Sequence, residues 1–366
     1  MKFSIASHNV ALSIGPPFAF NGAYARSSRV VDAFYANLKD VDVIFLQELV
    51  VNRQQVLDMY ILHPYQTRKV ASNIFSSSIR FLSSGLSIVS KWPIVKQRSH
   101  IFTGETYHAE TFMAKSVLYA KIETPAGFVH VLNTHINAWT APKAVIARDS
   151  QAQQIGAFIT SLEIPTSEPV FLGGDLNMDI YEHGGVVDHV SKLAGGFSFY
   201  KPSEVVFSSD PLLNTLVGTD DADEYASRSM LNGCYDDFIK TGQCLCCPRQ
   251  LLDLIGILQT HKLPSDISFN VVPVKSRAPF AVHINIAKIK LITDVSDHFP
   301  VVLRMTLEED SNAVIPYFSE MDHLPATKPS FGWSVTIIVF SISYFIILVT
   351  LSVAVYKLGA KLKGLW

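Results

Sequence analysis

The chain has 366 residues, 48% of them hydrophobic and 17% charged, with a formal net charge of −2. That composition excludes a disordered, highly charged chain, which could not bury enough apolar surface to fold. The length allows one large domain plus further segments but not two large domains, and a mean hydropathy of +0.24 directs attention to a membrane segment.

The opening residues MKFSIASHNVAL lack a run of about 7–15 apolar residues before a small-residue cleavage site, so no secretory leader is expected. They read instead as a strand over 3–12. The apolar loop GPPFAF (15–20) follows, either touching a bilayer or packing as an ordinary Pro-containing loop. A helix is expected over 26–39, where Val30, Val31, Phe34, Tyr35 and Leu38 recur at helical spacing, and a second over 148–162. Strands are expected at 42–48, 85–90, 116–123, 128–134 and 169–174, and later at 252–258, 267–274 and 299–305. Many strands interleaved with few helices imply packed sheets flanked by helices.

The domain divisions follow. Residues 1–307 form one catalytic-size domain. Residues 308–331, acidic and carrying Pro316, Pro325 and Pro329, read as a linker. From Pro329 to Tyr356, 28 residues contain no Asp, Glu, Lys, Arg or His. About 20 residues cross the hydrocarbon core, so a transmembrane helix is expected over 332–356, with Trp333 and Tyr356 at its ends. Residues 357–366 are a short basic tail holding Lys357, Lys361 and Lys363. Without residues 331–366 the chain has 27 basic and 32 acidic residues, formally −5. Duplex binding draws its affinity from phosphate neutralisation, so no nucleic-acid partner is expected.

Of the four cysteines, Cys234, Cys244, Cys246 and Cys247, three crowd into CLCC with no second CxxC pair elsewhere in the chain, which argues against a zinc site and for reduced thiols in a surface loop. No N-x-S/T sequon occurs, which favours a non-secreted face.

Five short motifs place polar residues at expected strand ends: SHNV (7–10), LQE (46–48), NTHINA (133–138), GGDLN (173–177) and SDHFPVV (296–302). Together they suit metal-assisted hydrolysis of a phosphate ester. A hard cation takes carboxylate and amide oxygens, and Glu48, Asn9 and Asp297 supply that type. Asp175, Asn177, His135 and His298 are the types that position water, remove its proton and neutralise phosphoryl oxygens. Asp253, isolated in the apolar run LLDLIGIL, is expensive to bury alone and is the candidate to orient His298. The other ten histidines, among them His8, His100, His108 and His183, read as surface or structural.

In this order LQE, GLSIVSKWPI (85–94), NTHINA, GGDLN, LDLI (252–255) and SDHFP resemble the endonuclease/exonuclease/phosphatase superfamily, over residues 3–305. SGLSIVSKWPI (84–94), AETFMAKSVLYAKI (109–122) and NTHINA are most similar to the neutral sphingomyelinases. The resemblance implies a four-layer α/β sandwich, two packed mixed β-sheets flanked by helices, and a magnesium-dependent phosphodiesterase for which manganese can substitute. It implies Glu48 as principal metal ligand with Asn9 beside it and Asp297 as a further metal-side acid. It implies Asp175 and Asn177 as the pair handling water and phosphoryl oxygen, and His135 as the phosphate-contacting histidine. His298 is then the base and Asp253 the acid orienting it. Arg26 and Arg29 match a family pattern and read as structural. Lys115 matches a sphingomyelinase lysine normally followed by Gly, whereas Ser116 follows here.

The expected function is a membrane-anchored phospholipase C type enzyme that hydrolyses sphingomyelin or a related phosphosphingolipid to ceramide and a phosphorylated head group. Its expected partners are that lipid and the bilayer. The rival expectations are an inositol-polyphosphate phosphatase or nuclease on the same fold, and a catalytically dead scaffold. A tail-anchored insertion would place the catalytic domain in the cytosol on an internal membrane, although the lysines after the span favour the opposite orientation.

Overall fold

A computed structural model describes residues 1–13, 22–70, 83–104, 106–210, 213–216, 249–283 and 289–308. The chain divides into two compact units, Met1–Ala313 and Val314–Trp366, and all described residues lie in the first. The GPPFAF loop, the four cysteines, nearly all of the expected linker, the expected span and the basic tail lie outside the described residues. No helix among the described residues is long and apolar enough to cross a membrane.

Two six-stranded mixed sheets face one another. The first is built from β1 (Lys2–Asn9), β2 (Val43–Gln47), β3 (Tyr65–Gln66), β4 (Ser87–Ser90), β11 (Ser265–Val271) and β14 (Val301–Thr306), in the order β11-β14-β1-β2-β4-β3. The second is built from β5 (Ile94–Ile101), β6 (Ser116–Thr124), β7 (Gly127–His135), β8 (Val170–Asp175), β9 (Phe197–Phe199) and β10 (Asp253–Leu258), in the order β5-β6-β7-β8-β10-β9. A separate hairpin pairs β12 (Lys275–His283) with β13 (Ile289–Asp294). Central strands such as VIFLQ and DLIGIL are buried along their whole length, which is why they read as continuous apolar runs rather than alternations.

Phe3, Ile5, Val43, Phe45 and Ile88 from the first sheet pack with Val117, Val131, Leu254 and Ile255 from the second. Helices α4 (Pro142–Thr160) and α5 (Gly184–Leu193) add Ala152, Ile155, Val187 and Val190 to this core. On the other face of the first sheet, α2 (Val30–Leu38) and α3 (Arg53–Asp58) bury Val30, Phe34, Leu38, Val56 and Leu57 against Ala6, Ile44 and Leu46.

The differences from the expected elements have local causes. The helix expected over 26–39 is two pieces, α1 (Ala23–Ser27) and α2, because Arg29 leaves helical geometry at φ −124°. The helix expected from 148 starts at Pro142, whose fixed φ and missing N–H suit the first helical position. The strand expected over 3–12 stops at Asn9, since Ala11 takes φ 47°. Strand β5, IVKQRSHI, was missed because it is a half-exposed edge strand with no apolar alternation. Helix α5 opens with two glycines and two valines, all weak helix formers, so packing rather than propensity makes it.

Candidate active site

The strand ends carry the site. Strands β7 and β8 run parallel with His135 opposite Asp175, and β10 runs antiparallel to β8 with Asp253 opposite the same Asp175. Three polar residues therefore stand in one row on three neighbouring strands, all buried. Gly174 makes the row possible: a Cβ there would lie 1.8 Å from the Thr134 carbonyl oxygen, and φ is 142°. The Gly of GGDLN is thus required by strand approach, not by a turn.

The first sheet contributes from its edge. Asn9 ends β1 beside Gln47, and Glu48 follows β2 with φ 55°, a left-handed conformation that costs a non-glycine residue about 1–3 kcal/mol. Gly85 fits against it, because a Cβ there would lie 2.8 Å from the Glu48 Cα. Asn9 Nδ2 donates to Glu48 Oε1 at 3.1 Å and, across the gap between the sheets, to Asp175 Oδ2 at 3.0 Å. The Ser13 hydroxyl donates to Glu48 Oε2 at 2.6 Å. Buried Arg26 donates to the carbonyls of Val10, Ala11 and Val295, clamping the loops after Asn9 and before Asp297. Its role is positional, and Arg29 lies 4.6 Å from the centre of the Phe280 ring.

The SDHFP loop closes the arrangement. The Ser296 hydroxyl donates to the Asn9 carbonyl at 2.5 Å, bringing Asp297 and His298 against the end of β1. His298 Nδ1 lies 2.6 Å from Asp253 Oδ2. Asn177, at φ 50°, donates its backbone N–H to Asp175 Oδ1 at 2.9 Å and its side-chain amide to the Ile136 carbonyl at 3.1 Å. All eight residues singled out from the sequence thus belong to one neighbourhood. Sequence reasoning missed Ser13, for which no motif exists, and Ser296, which sat inside a motif read only for its Asp and His. It also missed Ser208, whose Oγ accepts from the N–H groups of Leu252 and Asp253 at 3.1 and 3.2 Å.

Lys115 is buried and paired with Glu110 at 2.6 Å, and it donates to the Ile136 carbonyl at 3.0 Å. Ser116 lies within strand β6, where no glycine conformation is needed.

The electrostatics follow from burial and crowding. Burial, with Asp253 adding to it, raises the Asp175 carboxyl to about 7, although His298 pulls it back. Burial opposes charge on His298, but the carboxylates of Asp253, Asp175 and Asp297 outweigh it and hold the ring well above the ordinary histidine range. Burial first, then the charge on Lys115, keeps His135 neutral, so its 3.6 Å approach to Asp175 is not an ion pair. His8, wholly buried and stacked on Phe34, is pushed down to about 3 by burial and reads as structural.

The donor set suits a hard divalent cation. Four carboxylates, Glu48, Asp175, Asp253 and Asp297, surround the two positive groups His298 and Arg26, while the Asn9 amide turns its Nδ2 to Glu48 and Asp175 and its Oδ1 accepts from the Ala11 N–H at 3.0 Å. Ligand-type atoms of Asp175, Asp253 and His298 also come within 4.8 Å of one another. His298 Nδ1 and Asp253 Oδ2 are committed to each other, however, so that trio is better a base with its orienting acid.

Comparison with known proteins follows the same lines. The chain is 27% identical to a sphingomyelinase C of Bacillus cereus over 322 residues, covering 83% of this chain and 89% of that one. It is 30% identical to a sphingomyelinase C of Leptospira interrogans over 193 residues, 49% of this chain and only 34% of the other. The chain thus spans about a third of that relative's length. In fold it matches a beta toxin mutant of Staphylococcus aureus solved with bound magnesium ions, at a TM-score of 0.63 and 23% identity, covering 83% of this chain and 99% of that one. The profile of the Endonuclease/Exonuclease/phosphatase family matches residues 6–298, from the middle of β1 to His298, and the chain belongs to that family.

Proposed function

We propose that the protein is a phosphoric diester hydrolase of phospholipase C type, acting on sphingomyelin or a related phosphosphingolipid with magnesium. The observation that carries this reading is one neighbourhood drawn from both sheets: Asp253, 2.6 Å from His298, stands opposite Asp175, and Asn9 ties Asp175 to Glu48 at 3.0 and 3.1 Å. The similarity to sphingomyelinases C supports the substrate class.

Glu48 would hold the cation with Asp297 on the same side, and Asn9 would join them only with its amide turned, since its Oδ1 here accepts from the Ala11 N–H. When bound, the cation supplies neutralising charge to the phosphoryl oxygens of an in-line displacement. The chain's own residues do the rest. Asp253 holds the His298 imidazole so that Nε2 faces the site and takes a proton from the attacking water. Asp175 and Asn177 orient that water and a phosphoryl oxygen, Asn177 having one amide hydrogen left beyond its bond to Ile136. His135, neutral and held beside Asp175, donates to a second phosphoryl oxygen. The water oxygen bonds to phosphorus as the bond to the ceramide oxygen breaks, the leaving oxygen takes a proton from solvent, and His298 releases to solvent the proton it took from the water.

The apolar segment 332–356 would anchor the domain on an internal membrane with the catalytic domain cytosolic. Tethering raises the effective concentration of a substrate confined to the bilayer without any new contact. Protease protection of an N-terminal tag on intact microsomes would overturn that orientation.

The test is hydrolysis in detergent micelles, with magnesium and with EDTA, of sphingomyelin, inositol phosphosphingolipid, lyso-platelet-activating factor, a soluble inositol phosphate and single-stranded DNA. Magnesium-dependent head-group release from a phosphosphingolipid is expected. Turnover of the inositol phosphate or DNA alone would discard the lipid assignment and keep the fold.

A further inference from the structure

Two motif residues have no part in the chemistry above, Gln47 of LQE and Asn133 of NTHINA. Both are fully buried, and they meet across the gap between the sheets. Gln47 Nε2 donates to Asn133 Oδ1 at 2.7 Å and to Ser7 Oγ at 3.1 Å. Asn133 Nδ2 donates to the carbonyls of Leu46 and Ser87, both at 2.9 Å. Leu46 and Ser87 stand opposite one another on β2 and β4. A side chain of the second sheet thus grips the backbone of two strands of the first, using both its donors and its acceptor.

The location gives this bridge its meaning. Gln47 stands beside Asn9 and immediately precedes Glu48, so it sits at the root of the first sheet's contribution. Asn133 lies two residues before His135 on β7, and residues two apart share a face of a strand. Its row continues to Gly173, where a Cβ would lie 3.0 Å from the Phe45 ring, so the sheets approach closely there. Away from the site the sheets meet through apolar side chains such as Phe3, Val117 and Leu303, and at the site Asn9–Asp175 is a further polar link across the gap. Apolar contact is non-directional and leaves small displacements of one sheet against the other nearly free. Directional bonds to backbone do not. A buried polar pair is a poor choice for stability alone, since apolar residues of similar volume are often as good or better.

We propose that Gln47 and Asn133 are positioning residues that set the separation between the two halves of the site: Asn9 and Glu48 on one side, His135, Asp175 and Asp253 on the other. The proposal rests on the phosphodiesterase reading for its kinetic arm only. A misplacement of about 1 Å costs on the order of a hundredfold in rate, so the bridge has a large lever on turnover while touching neither substrate nor cation.

The test compares the full-length wild-type chain, Gln47→Met, and the double variant Gln47→Leu with Asn133→Leu. The double variant removes both side-chain amides together, so neither is left stranded by loss of the other, and Ser7 Oγ and the carbonyls of Leu46 and Ser87 each lose one bond. Its thermal midpoint is expected close to the wild-type value, with kcat on sphingomyelin reduced about ten- to hundredfold and KM changed less than about threefold. Gln47→Met, the milder change, is expected to lower kcat about fivefold or more with the same KM. A merely structural role predicts instead that kcat recovers with the melting temperature, and kcat within about threefold of wild type in both folded variants would overturn the proposal. A structure of either variant supplies a readout that needs no activity. The Asn9 Nδ2–Asp175 Oδ2 separation, 3.0 Å here, should lengthen by about 0.5 Å or more. An unchanged separation overturns the positioning role even if the wild-type protein hydrolyses none of the substrates, an outcome that would instead refute the functional reading.

Discussion

The two sheets supply the site by different means. The second sheet presents His135, Asp175 and Asp253 as a row fixed by strand register, so their spacing follows from ladder hydrogen bonds shared by dozens of atoms. The first sheet presents Asn9 and Glu48 at strand ends, and Glu48 sits in a left-handed conformation held by Gly85 and Ser13. The Asp297–His298 loop leans on that edge through Ser296 while reaching Asp253 on the other sheet. Register tolerates small perturbations because many bonds oppose them. A strained residue outside a strand depends on a few local contacts, and strain of this kind persists only where neighbours over-determine it.

The largest effect should come from cutting the link between the halves. Asp253→Asn leaves the shape of the row intact but removes the charge that orients His298. It should lower kcat about 10²- to 10⁴-fold with the fold retained, as read by steady-state kinetics beside a circular dichroism melt. The pH profile sharpens the point. Because His298 is held well above the ordinary range by carboxylates, chiefly Asp253, the neutral base becomes available only as pH rises. Wild-type kcat/KM should therefore climb through and beyond neutrality, as an apparent constant shared with Asp175, which lies near 7. In Asp253→Asn the residual activity should reach its plateau at lower pH. A profile that does not move would contradict the pairing.

A smaller effect tests the strained edge. Gly85→Ala places a Cβ 2.8 Å from the Glu48 Cα at a φ of 67°. It should cost about 1–3 kcal/mol of stability and lower magnesium-dependent turnover about tenfold, measured by urea denaturation and by magnesium titration of the rate. Equal stability with full activity would show that Glu48 is not held as described.

The smallest effect lies away from both halves. Burial holds His63 down to about 4, although its bond to the Val41 carbonyl opposes the shift. A base with a lowered folded pKa contributes stability above its unfolded value near 6.5, and that stability is lost as pH falls towards 4. The thermal midpoint of wild type should drop between pH 7 and 5, and His63→Gln should flatten that slope without changing kcat at neutral pH.

The contrast between the sheets also explains what was legible in the sequence. Asp253 stood out because a lone acid in LLDLIGIL needs a partner, and the partner proved to be His298. Strand ends such as VIFLQ and VFLGGD announced themselves as apolar runs closing on polar residues. Periodicity could not say that Asp175 would lie opposite both His135 and Asp253, since register is a property of two strands and not of one. It also could not see Gln47 and Asn133 as partners, because 86 residues separate them and each reads alone as a polar residue at a strand end. Strand β5 and helix α5 were hidden for a simpler reason: one is an edge strand, the other a glycine-led helix made by packing.

On the proposed reading, residues of both sheets form one magnesium-dependent phosphodiester site. Its most direct test is head-group release from sphingomyelin in micelles by wild type and by Glu48→Gln, each with magnesium and with EDTA, beside a thermal melt of both proteins. The expected result is turnover by wild type with magnesium alone, and loss of at least about a hundredfold in Glu48→Gln at an unchanged melting temperature. Activity in EDTA, or a folded Glu48→Gln protein as active as wild type, would contradict it.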